Sequence, residues 1–357
     1  MGLSVEVLHS VDEVGESKWN NFVDQSRLAS FFHRYGWLKA YEEGTSSKPR
    51  HIVAYKSGAL VAGFPNFIEK IPRTPFNRLS SIRPNHGGPL ILTDEAEILS
   101  LFHREISNVC GGRVVSHRIM SSEHGNVRYG ANLKRRGYRV DVDNCVFRIS
   151  LDRSWEEVMA GMGNERRYDL RKGKESDYRI VDEEINEENA MRFYSAYTNI
   201  IAKVGGIPQP PGLFRAVTKY MSDNTKLFTI ESDGSYLGGF IHFLDERNRT
   251  ILATFSSVDN TPFKYATELL HEYSMRWGKE NGYLLYDFGG TPSDFEDSLF
   301  RSKDKYGGGV VPSFGWEKGF STLGWAALRL GMYLNRKLTR KRTRGVTADA
   351  GGVSNRR

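Results

Sequence analysis

The stretch Ser302-Lys303-Asp304-Lys305-Tyr306-Gly307-Gly308-Gly309, expected to be a loop, sets two lysines and a tyrosine against three consecutive glycines. Glycine lets backbone N–H groups approach a ligand closely, and lysine supplies a point charge. Upstream, Asp287-Phe288-Gly289-Gly290 places an acid at the end of an apolar run. Moving an acyl group onto an amine requires that the amine lose a proton, that a tetrahedral oxyanion be stabilised, and that two substrates be held together. Lys303 suits oxyanion stabilisation or the anchoring of a phosphate or carboxylate, and its plainer reading is a surface lysine. Tyr306 suits proton donation to a leaving group, or is a core aromatic after a turn. Asp287 suits a general base if burial raises its pKa, or is an acid capping the Gly289-Gly290 turn. Lys305 is expected to face solvent.

Further candidates lie upstream. Arg166, Arg167, Arg171 and Lys172 form a basic cluster in NERRYDLRKG. Arg167 and Arg171 are four apart and share a helix face. Such a face suits the phosphates of a nucleotide-linked or lipid-linked acceptor; the alternative is a solvated face balanced by Glu165 and Asp169. Gly238 and Gly239 inside a strand predict a bulge or a close backbone approach beside the substrate. His242, on the same strand face as Phe240, either points into the cleft or packs. Gly307 and Gly308 are expected to present backbone N–H groups to a substrate. No metal site is expected: Cys110 and Cys145 lack a close spacing, and there is no His-x-x-x-His pair. Walker and Gly-x-Ser-x-Gly motifs are also missing.

The chain of 357 residues suffices for two domains, each with its own core. No apolar run approaches the roughly 20 residues of a membrane span. The opening Met1-Gly2-Leu3-Ser4-Val5 has no basic n-region or apolar h-region, so the cytoplasm is the expected location. Residues 321–357 hold nine Lys or Arg against one acid, Asp349, a net +8 that exceeds the +7 of the whole chain. The remainder is therefore nearly neutral, and the basic character belongs to a tail. Such a tail is either a solvated end or a contact for an anionic membrane surface or RNA, and a short amphipathic helix over Trp325–Leu338 tilts it toward the membrane.

Two segments read as copies of one unit. Ile52–Ile68 and Leu227–Leu244 each hold a strand, a Ser-Gly or Asp-Gly turn and a second strand with small-Gly-Phe. Helical stretches precede both: Lys18–Glu43 in one case, Glu187–Val204 and Gly212–Met221 in the other. A strand, a helix and a strand follow both: Gly88–Leu92, Asp94–Val109 and Arg113–Met120, then Thr250–Ser257, Pro262–Gly278 and Tyr283–Phe288. The expected fold is α/β, with mixed sheets and helices on their faces, built twice. The boundary is placed near residue 150, where Ser154 and Glu157 form a capping box that opens a helix carrying Val158–Gly173. This gives units 1–150 and 151–322, followed by the basic tail 323–357.

This order resembles the tandem GNAT-fold acyltransferases of the FemAB type and the related BioF2-like acetyltransferase domains. Asn164–Gly173 is similar to their Arg-rich helix, His86-Gly87-Gly88-Pro89 to their "GGP" turn, and Asp287-Phe288-Gly289-Gly290 with Ser302-Lys303-x-x-Tyr306-Gly307-Gly308 to their "DFG…FK..FGG" ending. The likeness spans roughly residues 20–320. It implies transfer of an acyl or aminoacyl group to an amine of a cell-envelope precursor, such as a peptidoglycan peptide or an amino sugar. The donor would be acyl-CoA or aminoacyl-tRNA as co-substrate, with the active cleft in the second unit and the first helping to hold the acceptor. Acyl-CoA-dependent acetylation of a sugar or small metabolite, or a non-catalytic scaffold, are the alternatives. The sequence departs from the pattern in three places. There is no room for the long helical hairpin of many tRNA-using members. Ser302 stands where an aromatic is common. No Arg/Gln-x-x-Gly-x-Gly/Ala pyrophosphate loop precedes the helix near Pro262.

Overall fold

The computed structural model describes residues 2–81 and 87–331. His86 of the "GGP" turn and the tail beyond residue 331, with half of the expected Trp325–Leu338 helix, lie outside the described residues. Residues 322–331 are helical.

From its N-terminal end the chain runs β1 (Leu3–Leu8), α1 (Glu16–Gln25), α2 (Tyr35–Gly44), β2 (Lys48–Pro49), β3 (His51–Lys56), β4 (Ala59–Phe64), β5 (Asn66–Lys70), β6 (Asn77–Ser81), β7 (Leu90–Ile91), α3 (Glu95–Val109), β8 (Val114–Ser121), α4 (Glu123–Arg135) and β9 (Arg139–Ser150). It continues with α5 (Trp155–Gly161), α6 (Asn164–Lys174), β10 (Arg179–Glu183), α7 (Glu187–Lys203), α8 (Pro211–Tyr220), β11 (Thr225–Ser232), β12 (Ser235–Asp245), β13 (Thr250–Ser256), α9 (Ala266–Glu280), β14 (Leu285–Pro292), α10 (Ser298–Asp304) and β15 (Gly309–Gly319).

The repeated order of two helices, hairpin, strand, helix and strand is present in both halves, with four differences from the sequence reading. The second strand of the Ile52–Ile68 hairpin is split at Pro65 into β4 and β5. Proline has no N–H for the ladder, and the chain passes there from the four-stranded sheet β1-β3-β4-β7 into the large one as β5. The helix through Val158–Gly173 is two helices, because Met162 is extended at φ −74°, ψ 145° and Gly163 N–H bonds to the Lys305 carbonyl. The capping box of Ser154 and Glu157 is present as expected. Helix α9 begins four residues after Pro262. Ser302 and Lys303 lie on α10 rather than in a loop, because Asp297 caps that helix by accepting from the N–H groups of Leu299 and Phe300.

The large sheet has eleven strands in the order β10-β11-β12-β13-β14-β9-β15-β8-β6-β5-β2. The last strand, β15, enters between β9 and β8 and pairs antiparallel with both. The two repeats thus share one sheet. Alternation along β11 and β12 sorts the side chains. Leu227, Ile241 and Phe243 join Trp37, Phe193 and Phe214 in a core formed with α1, α2, α7 and α8. Phe228, Phe240 and Leu244 join Leu269, Leu270 and Met275 of α9 on the opposite face. Helices α2 and α8 cross at near backbone contact: a Cβ on Gly44 would stand 2.4 Å from the Cα of Leu213. This crossing clamps one repeat to the other beside a cleft lined by Trp37, Tyr41 and Leu213.

Candidate active site

Strands β13 and β14 are parallel and pair at Thr250–Leu285, Ile251–Tyr286 and Leu252–Asp287. Beyond Leu252 and Asp287 that pairing stops, while β14 remains bonded to β9 on its other side. A gap therefore opens in the sheet between residues 253–256 and 288–290. Gly289 makes the divergence possible. Its φ is +73°, and a Cβ there would lie 2.5 Å from the Ala253 carbonyl oxygen.

Two cavities share this gap. One, of 230 Å³, lies on the α9 side, against Thr267, His271, Lys303 and Tyr306. The other, of 410 Å³, lies on the α2 and α8 side, against Trp37, Tyr41, Arg78, Arg118, Asn144 and Asp287. Ala253, Thr254, Phe255, Gly289 and Gly290 line both. A further cavity of 410 Å³, lined by Arg148 and Glu123, meets the second at Phe32, Leu252 and Asp287.

Lys303 reaches back to the start of the gap. Its Nζ donates to the carbonyls of Phe288 at 2.7 Å, Gly289 at 3.2 Å and Gly290 at 3.1 Å, with Thr291 Oγ1 at 2.9 Å. Burial lowers its pKa to about 8, partly offset by Asp287 and Cys145. Asp287 is 2% exposed; one oxygen accepts from the Gly289 N–H at 2.8 Å and the other from Arg148 Nε at 2.9 Å. Tyr306 lines the smaller cavity with its hydroxyl buried and unpartnered among the described residues. Burial raises that hydroxyl's pKa.

The basic cluster divides. Arg166 is 4% exposed, pairs with Glu268, donates to the Ser302 carbonyl at 3.1 Å and stacks over Tyr306 at 4.4 Å. Burial raises the pKa of Glu268, with Arg166 opposing. Arg167 bonds to the Ala160 carbonyl and Asn164, Arg171 lies over Tyr168, and Lys172 pairs with Glu175, all on the outer surface. Gly238 and Gly239 do lie at a bulge, but the close neighbours are this chain's own carbonyls: Ser257 O at 2.2 Å and Phe228 O at 2.4 Å from a built Cβ. His242 points to α9, where its Nε2 meets Ser274 Oγ at 2.9 Å, and burial lowers its pKa to about 3. Gly307 and Gly308 pack on the backbone of Gly161 and Arg148. Lys305 pairs with Glu165 at the surface, as expected.

The structure adds residues that no motif marked. His271 bonds through Nδ1 to Tyr286 Oη at 2.8 Å, sits among Phe240, Phe288 and Tyr306, and lines the smaller cavity. Burial holds it well below the usual imidazole range. Its one sequence signal is its position four residues after Thr267, which puts both on one face of α9. Arg78, Arg118 and Arg148 come from three separate strands and carry no local signature.

Residues 163–297 match the family of acetyltransferase (GNAT) domains. Among solved structures, FemX aligns with a TM-score of 0.64 and 13% identity over 87% of this chain and 96% of that one. A tandem GNAT protein from the clavulanic acid biosynthesis pathway aligns at 0.56 and 14% identity over 90% and 99%. L-PGS from Bacillus licheniformis aligns at 0.55 and 12% identity over 84% and 90%. No curated protein sequence matches the chain. What these structures share with this one is the fold: a mixed α/β architecture of two tandem GNAT-like units, resembling the FemAB-type and BioF2-like acyltransferases.

A GNAT-type acyl-CoA donor implies a diphosphate at the start of α9. The residues there do not fit one. The Ala266 N–H bonds to the Phe263 carbonyl at 3.3 Å and the Thr267 N–H to Asn260 Oδ1 at 3.1 Å. The Glu268 carboxylate, paired with Arg166, stands in the first turn, where an anion would otherwise be favoured.

Proposed function

We propose that this chain is an N-acyltransferase that moves an acyl or aminoacyl group from an activated ester or thioester onto an amine of a cell-envelope precursor, a peptidoglycan peptide or an amino sugar. The observation that carries this reading is the gap between β13 and β14, with a cavity on each face and a common wall. The donor's acyl end enters from the α9 side; the acceptor occupies the larger cleft between the repeats. The acceptor nitrogen attacks the acyl carbon in the gap, the tetrahedral oxyanion forms beside Lys303, and collapse releases the donor's alcohol or thiol as the amine loses its proton. Lys303 supplies positive charge, Tyr306 gives its proton to the leaving group and takes the amine's proton in exchange, and Asp287 holds the strand end in register. The division near residue 150 belongs to this proposal, as does the placement of the donor in the second unit.

The self-occupied start of α9 supports an aminoacyl ester, as carried by tRNA, over acyl-CoA. The match of residues 163–297 to acetyltransferase domains keeps an acyl-CoA donor as the second reading. Among the described residues no helix is long and apolar enough to cross a membrane. The test is transfer of a labelled acyl group from aminoacyl-tRNA, and in parallel from acetyl-CoA, to peptide and amino-sugar acceptors, with the amide detected by mass spectrometry. Amide from neither donor, with the Lys303→Ala protein giving the same blank, would leave a binding scaffold as the better account.

A further inference from the structure

Away from the cleft, an open hollow of 430 Å³ lies between α3, the end of α4 and the end of β15, bordered by Ser100, Arg104, Arg136, Lys318 and Phe320. Arg136 donates to Asn132 Oδ1 and Ser100 Oγ, both neutral. Lys318 lies over the rings of Phe320 at 4.9 Å and Tyr138 at 5.8 Å. Among the described residues no carboxylate pairs with Arg136 or Lys318, and Arg104 pairs with Glu105. The hollow is thus a net positive, hydroxyl-lined depression with the chemistry of a phosphate receptor.

The chain leaves this hollow at Phe320 and enters the helix at 322–331. One side of that helix is anchored: Leu328 is 3% exposed, Gly324 meets Val115 and Phe76, and Trp325 lies on Gly319. The opposite side is apolar and bare. Leu323 is 85% exposed and Leu330 is 60% exposed, seven residues apart and so on one stripe, with Ala326 and Ala327 between them. Residues 332–357 then add eight Lys or Arg against one Asp.

We propose that this face docks the protein on an anionic phospholipid surface, with Leu323 and Leu330 entering the headgroup boundary and Arg136, Lys318 and Arg104 facing lipid phosphates. A helix with an apolar stripe beside cations is the arrangement that lies in a membrane interface. Each Lys or Arg near an anionic leaflet adds to the attraction. RNA would use the cations but gains nothing from two exposed leucines, which is why the membrane is favoured. The proposal is independent of the acyl-transfer reading, because none of these residues borders the cleft.

The experiment is co-sedimentation of the full chain with phosphatidylcholine vesicles, with and without phosphatidylglycerol, at low and high salt. Binding is expected only with phosphatidylglycerol and is expected to weaken with salt. Leu323→Ser with Leu330→Ser is expected to weaken it about tenfold, and Lys318→Gln roughly fivefold, with Tm unchanged in both. No binding to phosphatidylglycerol vesicles overturns the proposal. So does binding that neither variant changes, since the tail alone would then account for it. Tighter binding to a structured RNA than to vesicles, or a dimer that the leucine variant dissociates, also overturns it.

Discussion

The ammonium of Lys303 lies 2.7 Å from the carbonyl oxygen of Phe288, the residue just past the last position where β14 pairs with β13. The lysine therefore sits where the sheet opens, tying down three successive carbonyls of the opened strand. A charge placed there both shapes the gap and faces whatever reacts in it. Lys303→Gln is expected to lower turnover roughly 100- to 1,000-fold and to destabilise the fold by about 1–3 kcal/mol through the carbonyls left without a donor. Steady-state kinetics alongside urea denaturation separates the two effects. Unchanged turnover with lowered stability would reduce Lys303 to a strand tie.

The pKa of about 8 gives this residue a pH signature. As the charged form is the one that stabilises an oxyanion, turnover is expected to fall as pH rises through about 8. Stability moves the other way. Between about 8 and the ordinary lysine value of 10.5 the unfolded chain holds a proton that the folded lysine has lost, so this residue's contribution to stability rises with pH across that window. A rate that climbs through pH 8, in a wild-type profile whose limb disappears in Lys303→Gln, would instead make the neutral amine the working form.

Tyr306 offers a cleaner separation. Its hydroxyl is buried without a partner, so Tyr306→Phe removes an unsatisfied polar group while keeping the ring over which Arg166 stacks. The variant is expected to be as stable as the parent or about 1 kcal/mol more stable, while losing about 100-fold in turnover if the hydroxyl protonates the leaving group. Full activity in Tyr306→Phe would end that assignment.

Arg166 and Glu268 form a buried pair, and removing one member leaves the other charge uncompensated. Arg166→Met is expected to cost roughly 3–5 kcal/mol, and the double change Arg166→Met with Glu268→Leu to recover most of it. Chemical denaturation of the two singles and the double measures the coupling. Additive losses would mean that the pair is not a unit.

Much of this architecture was legible in the chain. The alternation of the two hairpins and the helix and strand order around them marked the repeats, whereas the strand that opens was not marked: the close approach was expected at Gly238 and Gly239, and the pairing ends instead at Asp287. Local signals failed where backbone constraints came from distant segments. Pro65 falls inside the second strand of the Ile52–Ile68 hairpin, and its transfer between sheets depends on the pairing of β5 with β2 and β6. Gly307 and Gly308 read as ligand-facing because sequence does not show that Gly161 and Arg148 stand where a side chain would go. The cluster Arg166, Arg167, Arg171 and Lys172 read as one charged face, but Arg166 is turned inward by Glu268, 102 residues away. His271 reaches the smaller cavity, Arg78 and Arg118 the larger one and Arg148 its neighbour only when α9 and the strands assemble, so no spacing announces them.

The central claim is that an activated acyl donor binds in the cavity bounded by Gly289, Lys303 and Tyr306. Its most direct test is thermal unfolding with aminoacylated tRNA, uncharged tRNA and acetyl-CoA, each run on the wild-type chain and on Gly290→Val, at a glycine that lines both cavities and has open space where a side chain would go. A donor present at about 100 times its Kd stabilises the native state by roughly 2.7 kcal/mol. The account predicts a Tm rise with charged tRNA beyond that with uncharged tRNA, and its loss in Gly290→Val. Equal Tm values with and without every donor, or a donor shift that Gly290→Val leaves intact, would contradict it.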